Sequence, residues 1–117
     1  MFNIICDEEK LKKICGLTNE KMREIFGDKL ISVILYGSYA RGDYEEFSDI
    51  DIMALVDMDK MELKKYQNEV FRFCNNIDLE YDVLLSVKLQ DKETFDEWQY
   101  DLPYFMNIKK EGVIISA

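Results

Sequence analysis

The chain has 117 residues, of which 48% are hydrophobic and 33% charged, a composition typical of one globular domain and far from that of a disordered chain. Its 24 acidic and 15 basic residues give a net charge of -9. That is the wrong sign for a protein that neutralises nucleic-acid phosphates over a broad surface, so we expect a basic protein partner and no direct nucleic-acid binding. Histidine is absent, which excludes an imidazole base and histidine-ligated metals.

No apolar run approaches the roughly 18 residues that span a bilayer. The first ten residues, MFNIICDEEK, are too short and too acidic for a signal peptide, so we expect a cytoplasmic protein without a membrane segment. Cysteines 6, 15 and 74 are odd in number and have no C-x-x-C spacing, which argues against a disulfide framework or a zinc site and favours buried thiols. We find no linker or repeat and predict one domain over residues 1–117.

The first half of the chain alternates helical and strand-like patterns. Apolar residues at helical intervals predict a helix over 7–26 with Asp7 as its N-cap, and Gly16 and Thr18 leave open whether it is one kinked helix or two short ones. Leu30–Tyr36 has the branched apolar composition of a strand buried on both faces. A tight turn or single helical turn over 38–42 and a second strand over 49–56 follow.

The second half continues the alternation. The spacing predicts an amphipathic helix over 60–76 ended by two asparagines, then a third strand over 79–87. Asp91 is predicted to cap a helix, and Pro103 to begin another. Gly112 suits a left-handed C-cap, and Val113–Ser116 suits a short edge strand. The alternation indicates an α/β domain with a small sheet.

Asp49 and Asp51 lie two residues apart in the second predicted strand, so their side chains are expected on one face with Cα atoms about 6.6 Å apart. Two like charges on one face repel, and a cation between them removes the conflict. Carboxylates of water-facing strand ends are common, but the apolar neighbours of this pair favour a divalent metal such as Mg²⁺.

Gly37 and Ser38 follow the first predicted strand directly. Glycine allows a ligand to approach the backbone, and the serine hydroxyl can donate to a phosphate oxygen. Arg41, one of three arginines, can add a charge-assisted contact across the loop. A Gly-Ser pair alone also fits an ordinary turn, so both interpretations stay open at this point.

A site that holds two metals needs a third carboxylate. Asp82 is the candidate because it lies among apolar residues of the third predicted strand, where an unpaired charge is costly. Glu80 falls on the same predicted face and is the rival.

The segments GSYARG at 37–42 and SDID at 48–51 together resemble the signature of the nucleotidyltransferase superfamily typified by DNA polymerase beta. In size and order of elements the chain resembles the minimal nucleotidyltransferases (MNT), which include antitoxins paired with HEPN-domain toxins. The resemblance implies a mixed sheet flanked by helices, with Mg²⁺ and an NTP, usually ATP, at the motif.

Carried onto this chain, the resemblance implies that Gly37 and Ser38 hold the triphosphate, with Arg41 supporting the loop or the phosphates. It implies that Asp49 and Asp51 bind the metals, with Asp82 as a third ligand or base. Antitoxins of this family transfer AMP to a tyrosine hydroxyl of the toxin, so the expected partner is a HEPN toxin in a homo- or hetero-oligomer. No acceptor-binding domain follows the motif, so another chain is expected to present the acceptor.

Two other functions stay open. A non-catalytic antitoxin could inhibit its partner by occlusion, for which an acidic surface is equally suitable. An adenylyltransferase could instead act on a small molecule such as an aminoglycoside.

Overall fold

The computed structural model describes residues 8–45 and 48–116. Within these ranges helices and strands alternate along the chain, as predicted. Two short 3₁₀ turns, Gly27–Lys29 and Lys64–Tyr66, join neighbouring elements. The elements in order are α1 (Glu8–Phe26), β1 (Leu30–Tyr36), α2 (Ser38–Arg41), β2 (Ile50–Val56), α3 (Lys60–Leu63), α4 (Gln67–Tyr81), β3 (Leu85–Asp91), α5 (Lys92–Trp98), α6 (Pro103–Glu111) and β4 (Val113–Ser116).

The four described strands form one mixed sheet in the order β3-β2-β1-β4. Strand β1 is antiparallel to β2 and to β4, whereas β2 and β3 are parallel. The register places Tyr36 opposite Asp51 on one side and Ser86 opposite Asp51 on the other. The carboxyl end of β1 therefore meets the amino ends of β2 and β3, which confirms the mixed α/β architecture and brings the two sequence motifs to one edge.

Each face of the sheet packs against different helices. The larger core lies between one face, which includes Ile50 and Ile52, and helices α1 and α4. The smaller core lies on the opposite face, where Met53 packs with Phe95 of α5 and Phe105 of α6. Strand β2 is therefore apolar on both faces, and Asp51 is its one charged residue.

Helix α1 is continuous, which settles the choice left open by Gly16 and Thr18. The Thr18 hydroxyl donates to the Ile14 carbonyl at 2.8 Å, so a polar side chain is satisfied inside the core. Gly16 lies inside this one helix and faces open space, so the interpretation as two short helices is wrong. Asp7, the predicted N-cap, lies outside the described residues, as does Cys6. Cys15 and Cys74 are buried, as predicted.

The third predicted strand is present, but its bounds of 79–87 are wrong: α4 passes the two asparagines and continues to Tyr81, and β3 spans Leu85–Asp91. Buried residues at helical spacing, Val70, Cys74 and Ile77, extend the packed stripe beyond the predicted end. The side chain of Asp78 then accepts a hydrogen bond from the Leu85 amide at 2.7 Å, which fixes the start of β3.

The C-terminal elements follow the prediction except at one glycine. Asp91 caps α5 by accepting a hydrogen bond from the Thr94 amide at 2.8 Å, and Pro103 is the first residue of α6. Gly112 is not left-handed: its φ of -66° and ψ of 144° lead directly into β4. Glycine is needed there for space, because a Cβ would lie 2.4 Å from the Ile108 carbonyl oxygen. No helix in the described part of the chain is both long and apolar enough to cross a membrane.

Candidate active site

The turn from β1 into α2 requires glycine at position 37. Gly37 has φ 76° and ψ -156°, a combination closed to residues with a Cβ. Its carbonyl accepts hydrogen bonds from the amides of Ala40 and Arg41, both at 3.1 Å, and Gly42 ends the single helical turn with φ 85°. The predicted helical turn after the first strand is confirmed, and Ser38 is its first residue.

The same turn passes very close to an acidic side chain. A Cβ built on Gly37 would lie 2.6 Å from Oδ2 of Asp51, so the missing side chain makes room for that carboxylate. The cause is the register of the sheet, in which Tyr36 is the direct partner of Asp51. The phosphate-binding candidate and the metal-binding candidate therefore share one edge of the sheet.

The two aspartates of the motif differ in environment. Asp51 is partly buried on the sheet face that carries Met53, as predicted, whereas Asp49 is exposed and precedes β2 by one residue. Burial raises the pKa of Asp51, the nearby charge of Asp49 raises it further, and Arg41 acts in the opposite direction. The described geometry therefore brings Asp49, Asp51 and Arg41 into one electrostatic site.

This pair fits a hard divalent cation. Mg²⁺ is usually bound through one or two carboxylates, with substrate phosphates and water completing its coordination. Asp49 and Asp51 supply oxygen ligands, and a cation beside them would offset both the burial of Asp51 and the repulsion between the two charges.

Arg41 is held at the rim of the site by two carboxylates. Its Nε donates to Oδ2 of Asp43 at 3.2 Å, and its Nη1 lies 3.5 Å from Oε2 of Glu111 at the end of α6. The hydrogen bond to Asp43 is the main cause that raises the pKa of Arg41. The guanidinium remains exposed enough to meet a ligand, and the bridge to Glu111 connects the motif to the C-terminal helix.

Asp82 does not lie where the sequence placed it. It is the exposed C-cap of α4, with φ 55° and ψ 55°, and precedes β3 by three residues. Glu80, the rival, is an exposed residue of the last turn of α4. Among residues 8–45 and 48–116, no three acidic or cysteine side chains form a group that could hold a metal ion. Within these two ranges the structure thus assembles Asp49 and Asp51 without a third acid.

Two tyrosines that the sequence analysis did not assign to the site, Tyr36 and Tyr104, lie beside Asp51. The hydroxyls of Tyr36 and Tyr104 are hydrogen-bonded at 3.1 Å, and their rings meet edge to face. Burial is the largest cause of the raised pKa of Tyr36, followed by the contact with Tyr104 and the charge of Asp51. The contact joins residues 68 positions apart, so no local sequence pattern indicated it.

A cavity of about 220 Å³ lies between the Gly37 turn and α6. Gly37 and Arg41 line one side, and Asn107 and Glu111 of α6 line the other. It is smaller than the usual pocket for a whole ligand of drug size, so it suits a part of a ligand that extends over the sheet edge.

The family comparison agrees with this geometry. Residues 17–115 match the family model described as a nucleotidyltransferase domain, and the chain belongs to that family. The matched segment contains both motifs and nearly the whole of the described sheet.

Similar proteins include two from Methanocaldococcus jannaschii. "Putative protein adenylyltransferase MJ0141" is 45% identical over 62 residues, which cover 53% of this chain and 61% of that protein. "Putative protein adenylyltransferase MJ0604" is 29% identical over 109 residues, which cover 93% of this chain and 97% of that protein. The chain therefore spans less than two thirds of the first of these relatives and almost all of the second.

Two crystal structures share the fold. One is described as "a putative nucleotidyltransferase from Sulfolobus solfataricus", with TM-score 0.62, 23% identity, and coverage of 91% of this chain and 79% of that chain. The other is a mutant form of the MntA-HpeT toxin-antitoxin, with TM-score 0.50, 18% identity, and coverage of 86% of this chain and 73% of that chain. Because both identities are below 25%, these structures support the fold alone.

Proposed function

We propose that this chain is a Mg²⁺-dependent protein adenylyltransferase that transfers AMP from ATP to a hydroxyl of a partner protein. The observation that carries the proposal is the contact between the Gly37 turn and Asp51, which joins a candidate phosphate site to a carboxylate pair in a nucleotidyltransferase domain. The names of the two relatives, both protein adenylyltransferases, support a protein acceptor.

In the proposed reaction, the acceptor oxygen forms a bond to the α-phosphorus of ATP, and the bond to the β-phosphate breaks to release pyrophosphate. Gly37 lets the triphosphate approach the backbone, Ser38 donates a hydrogen bond, and Arg41 exchanges a carboxylate partner for phosphate. Asp49 and Asp51 would hold Mg²⁺, which offsets phosphate charge when bound.

Asp82 is proposed as the base that takes the proton of the acceptor hydroxyl, or as a further metal ligand. Support comes from its place in the chain, since Leu85, three residues later, pairs with Ile50 beside the acidic motif. Because Asp82 is a helix cap in this structure, this role requires the segment between α4 and β3 to bring its carboxylate toward Asp51.

The proposed partner is a HEPN-type toxin, which the chain would silence as an antitoxin in the cytoplasm by modifying a tyrosine. The motif resemblance and the fold shared with MntA-HpeT support this choice, and the net charge of -9 suits a basic partner. One observation favours occlusion without catalysis as a second candidate, namely that the described residues assemble no third acid beside Asp49 and Asp51.

Intact-mass spectrometry of the partner tests the proposal. The protein is incubated with Mg²⁺, ATP and the product of the neighbouring reading frame, and we expect the partner to gain one or more adenylyl groups. Asp49→Asn and Asp51→Asn should reduce this gain at least about a hundredfold, because each removes a metal-binding charge.

Asp28→Asn is the matched control, since Asp28 is exposed near the start of β1, at the opposite end of that strand from the Gly37 turn. It should modify the partner at the native rate. A partner that stays unmodified but still forms a tight complex would favour inhibition by occlusion over catalysis. Native rates of modification in either site variant would refute the assignment of Asp49 and Asp51 as metal ligands.

A further inference from the structure

Lys88 of β3 lies on the same face of the sheet as Asp51. The parallel register places Ser86 opposite Asp51 and Lys88 opposite Met53. Directly opposed residues of neighbouring strands point to the same side, and side chains alternate along each strand. Lys88 therefore leaves the sheet on the face of the acidic pair, one strand away and two residues further along.

Tyr104 contacts side chains from both strands that neighbour β2. Tyr104 is hydrogen-bonded to Tyr36 of β1, and its ring centroid lies 4.8 Å from Nζ of Lys88 on β3. Because β2 lies between β1 and β3, Tyr104 links side chains from the two strands that neighbour the strand of Asp51. Lys88 thus reaches from β3 the tyrosine pair beside Asp51, whereas Arg41 follows β1.

Arg41 and Lys88 differ in the groups that already neutralise their charges. Arg41 is paired with Asp43 and Glu111. Within the described residues, Lys88 has no carboxylate partner, and its ammonium rests on an aromatic face. An exposed cation-π contact is a weak restraint, so Lys88 can move to a stronger anionic partner at small cost.

We propose that Lys88 binds a non-bridging phosphate oxygen of the nucleoside triphosphate held at Asp49 and Asp51, an inference that rests on the proposed nucleotidyltransferase function. In the free protein the ammonium lies on the Tyr104 ring, and in the complex it turns to the phosphates. The Ser86 hydroxyl, next to Asp51, adds a polar group on the same strand. Lys88 contributes positive charge where negative charge increases as pyrophosphate departs.

Isothermal titration of Mg²⁺-ATP into the whole chain tests this assignment. Lys88→Met keeps the aliphatic stem but removes the charge, and we expect about tenfold weaker binding with a smaller dependence on salt. Lys88→Gln, a second neutral variant, should lose as much, whereas Lys88→Arg should stay within about threefold of the native affinity. Adenosine, which has no phosphate, should bind all variants alike.

Lys65→Met is the control for a lost lysine, because Lys65 is exposed on the 3₁₀ turn before α4. It should bind Mg²⁺-ATP as the native chain does. Native affinity in both neutral Lys88 variants would overturn the role of Lys88 while leaving the proposed function intact. A folded native chain that binds no Mg²⁺-ATP would refute the proposed function and this inference together.

Discussion

At the scale of single residues, Asp51 shows the conflict between stability and the proposed function most clearly. It is a partly buried carboxylate in an otherwise apolar strand, and both its burial and the charge of Asp49 raise its pKa. A raised pKa means that the folded state disfavours the ionised form. At neutral pH, Asp51 therefore lowers stability while it provides a negative charge for a metal.

We predict that Asp51→Asn increases the melting temperature at pH 7 in metal-free buffer by up to a few degrees, because it removes a charge that the folded state disfavours. As pH falls through the raised pKa of the folded state toward the unfolded value of about 3.9, Asp51 becomes protonated. The native chain then loses this penalty. The difference between variant and native chain should therefore shrink as pH falls toward 4 in calorimetric melts.

Millimolar Mg²⁺ supplies the comparison. It should raise the melting temperature of the native chain, since a ligand that binds only the folded state stabilises it, and should have little effect on Asp51→Asn. A metal-free variant less stable than the native chain would contradict the burial account of Asp51.

The motif predicted part of this site from sequence. Gly37, Ser38, Arg41, Asp49 and Asp51 lie within fifteen consecutive positions, so one short sequence motif identifies them together. Other groups around the motif come from later elements: Glu111 of α6 pairs with Arg41, Tyr104 of α6 contacts Tyr36, and Lys88 of β3 lies over Tyr104. Their positions depend on strand order and helix packing, which local sequence patterns do not specify.

At the scale of elements, the junction between β1 and α2 determines how closely backbone and carboxylate approach each other. Gly37 combines a positive φ with a contact to Asp51 that leaves no room for a Cβ. The junction therefore serves the geometry of the candidate site as well as the reversal of the chain.

Gly37→Ala should lower the free energy of unfolding by about 1 to 3 kcal/mol, because alanine is strained at this φ. It should also displace the Asp51 carboxylate, because Oδ2 of Asp51 is the atom nearest to the new methyl group. This displacement should weaken Mg²⁺-ATP binding. Chemical denaturation and titration calorimetry measure the two effects.

Gly16→Ala provides the contrast. Gly16 lies inside α1, and no atom beyond its own helix and chain neighbours lies within 4 Å of the place that an alanine methyl group would take. Alanine should therefore stabilise the chain by about 0.5 to 1 kcal/mol through helix propensity. It should leave nucleotide binding unchanged. Equal effects of the two substitutions would contradict the special role of the Gly37 turn.

Most elements were predictable, but the boundary between α4 and β3 was not. The segment LEYDVLLSV alternates in a way that fits a strand, although Leu79 is 85% exposed on α4. Packing of Val70, Cys74 and Ile77 carries the helix past its apparent end, and Asp78 then fixes the first residue of β3. Tertiary contacts thus override the local alternation. For this reason Asp82, which was predicted in a strand, is the C-cap of α4.

At the scale of the whole molecule, hydrophobic cores cover both faces of the sheet, and the candidate site lies at one end of its strands. Helices α1 and α4 cover one face with the larger core. On the other face, α5 and α6 pack over Met53 and Leu55, and the acidic pair lies at the end of the sheet beyond them. A ligand can therefore reach Asp49 and Asp51 from the strand edge without disrupting either core.

The central claim is transfer of a nucleotidyl group to a partner protein, and the position of label in ATP tests it most directly. The chain, Mg²⁺ and the product of the neighbouring reading frame are incubated with ATP labelled at either the α- or the γ-phosphate. The account predicts that α-label becomes covalently attached to the partner, while γ-label leaves as pyrophosphate. Attachment of γ-label, or attachment of neither label within a stable complex, would contradict it.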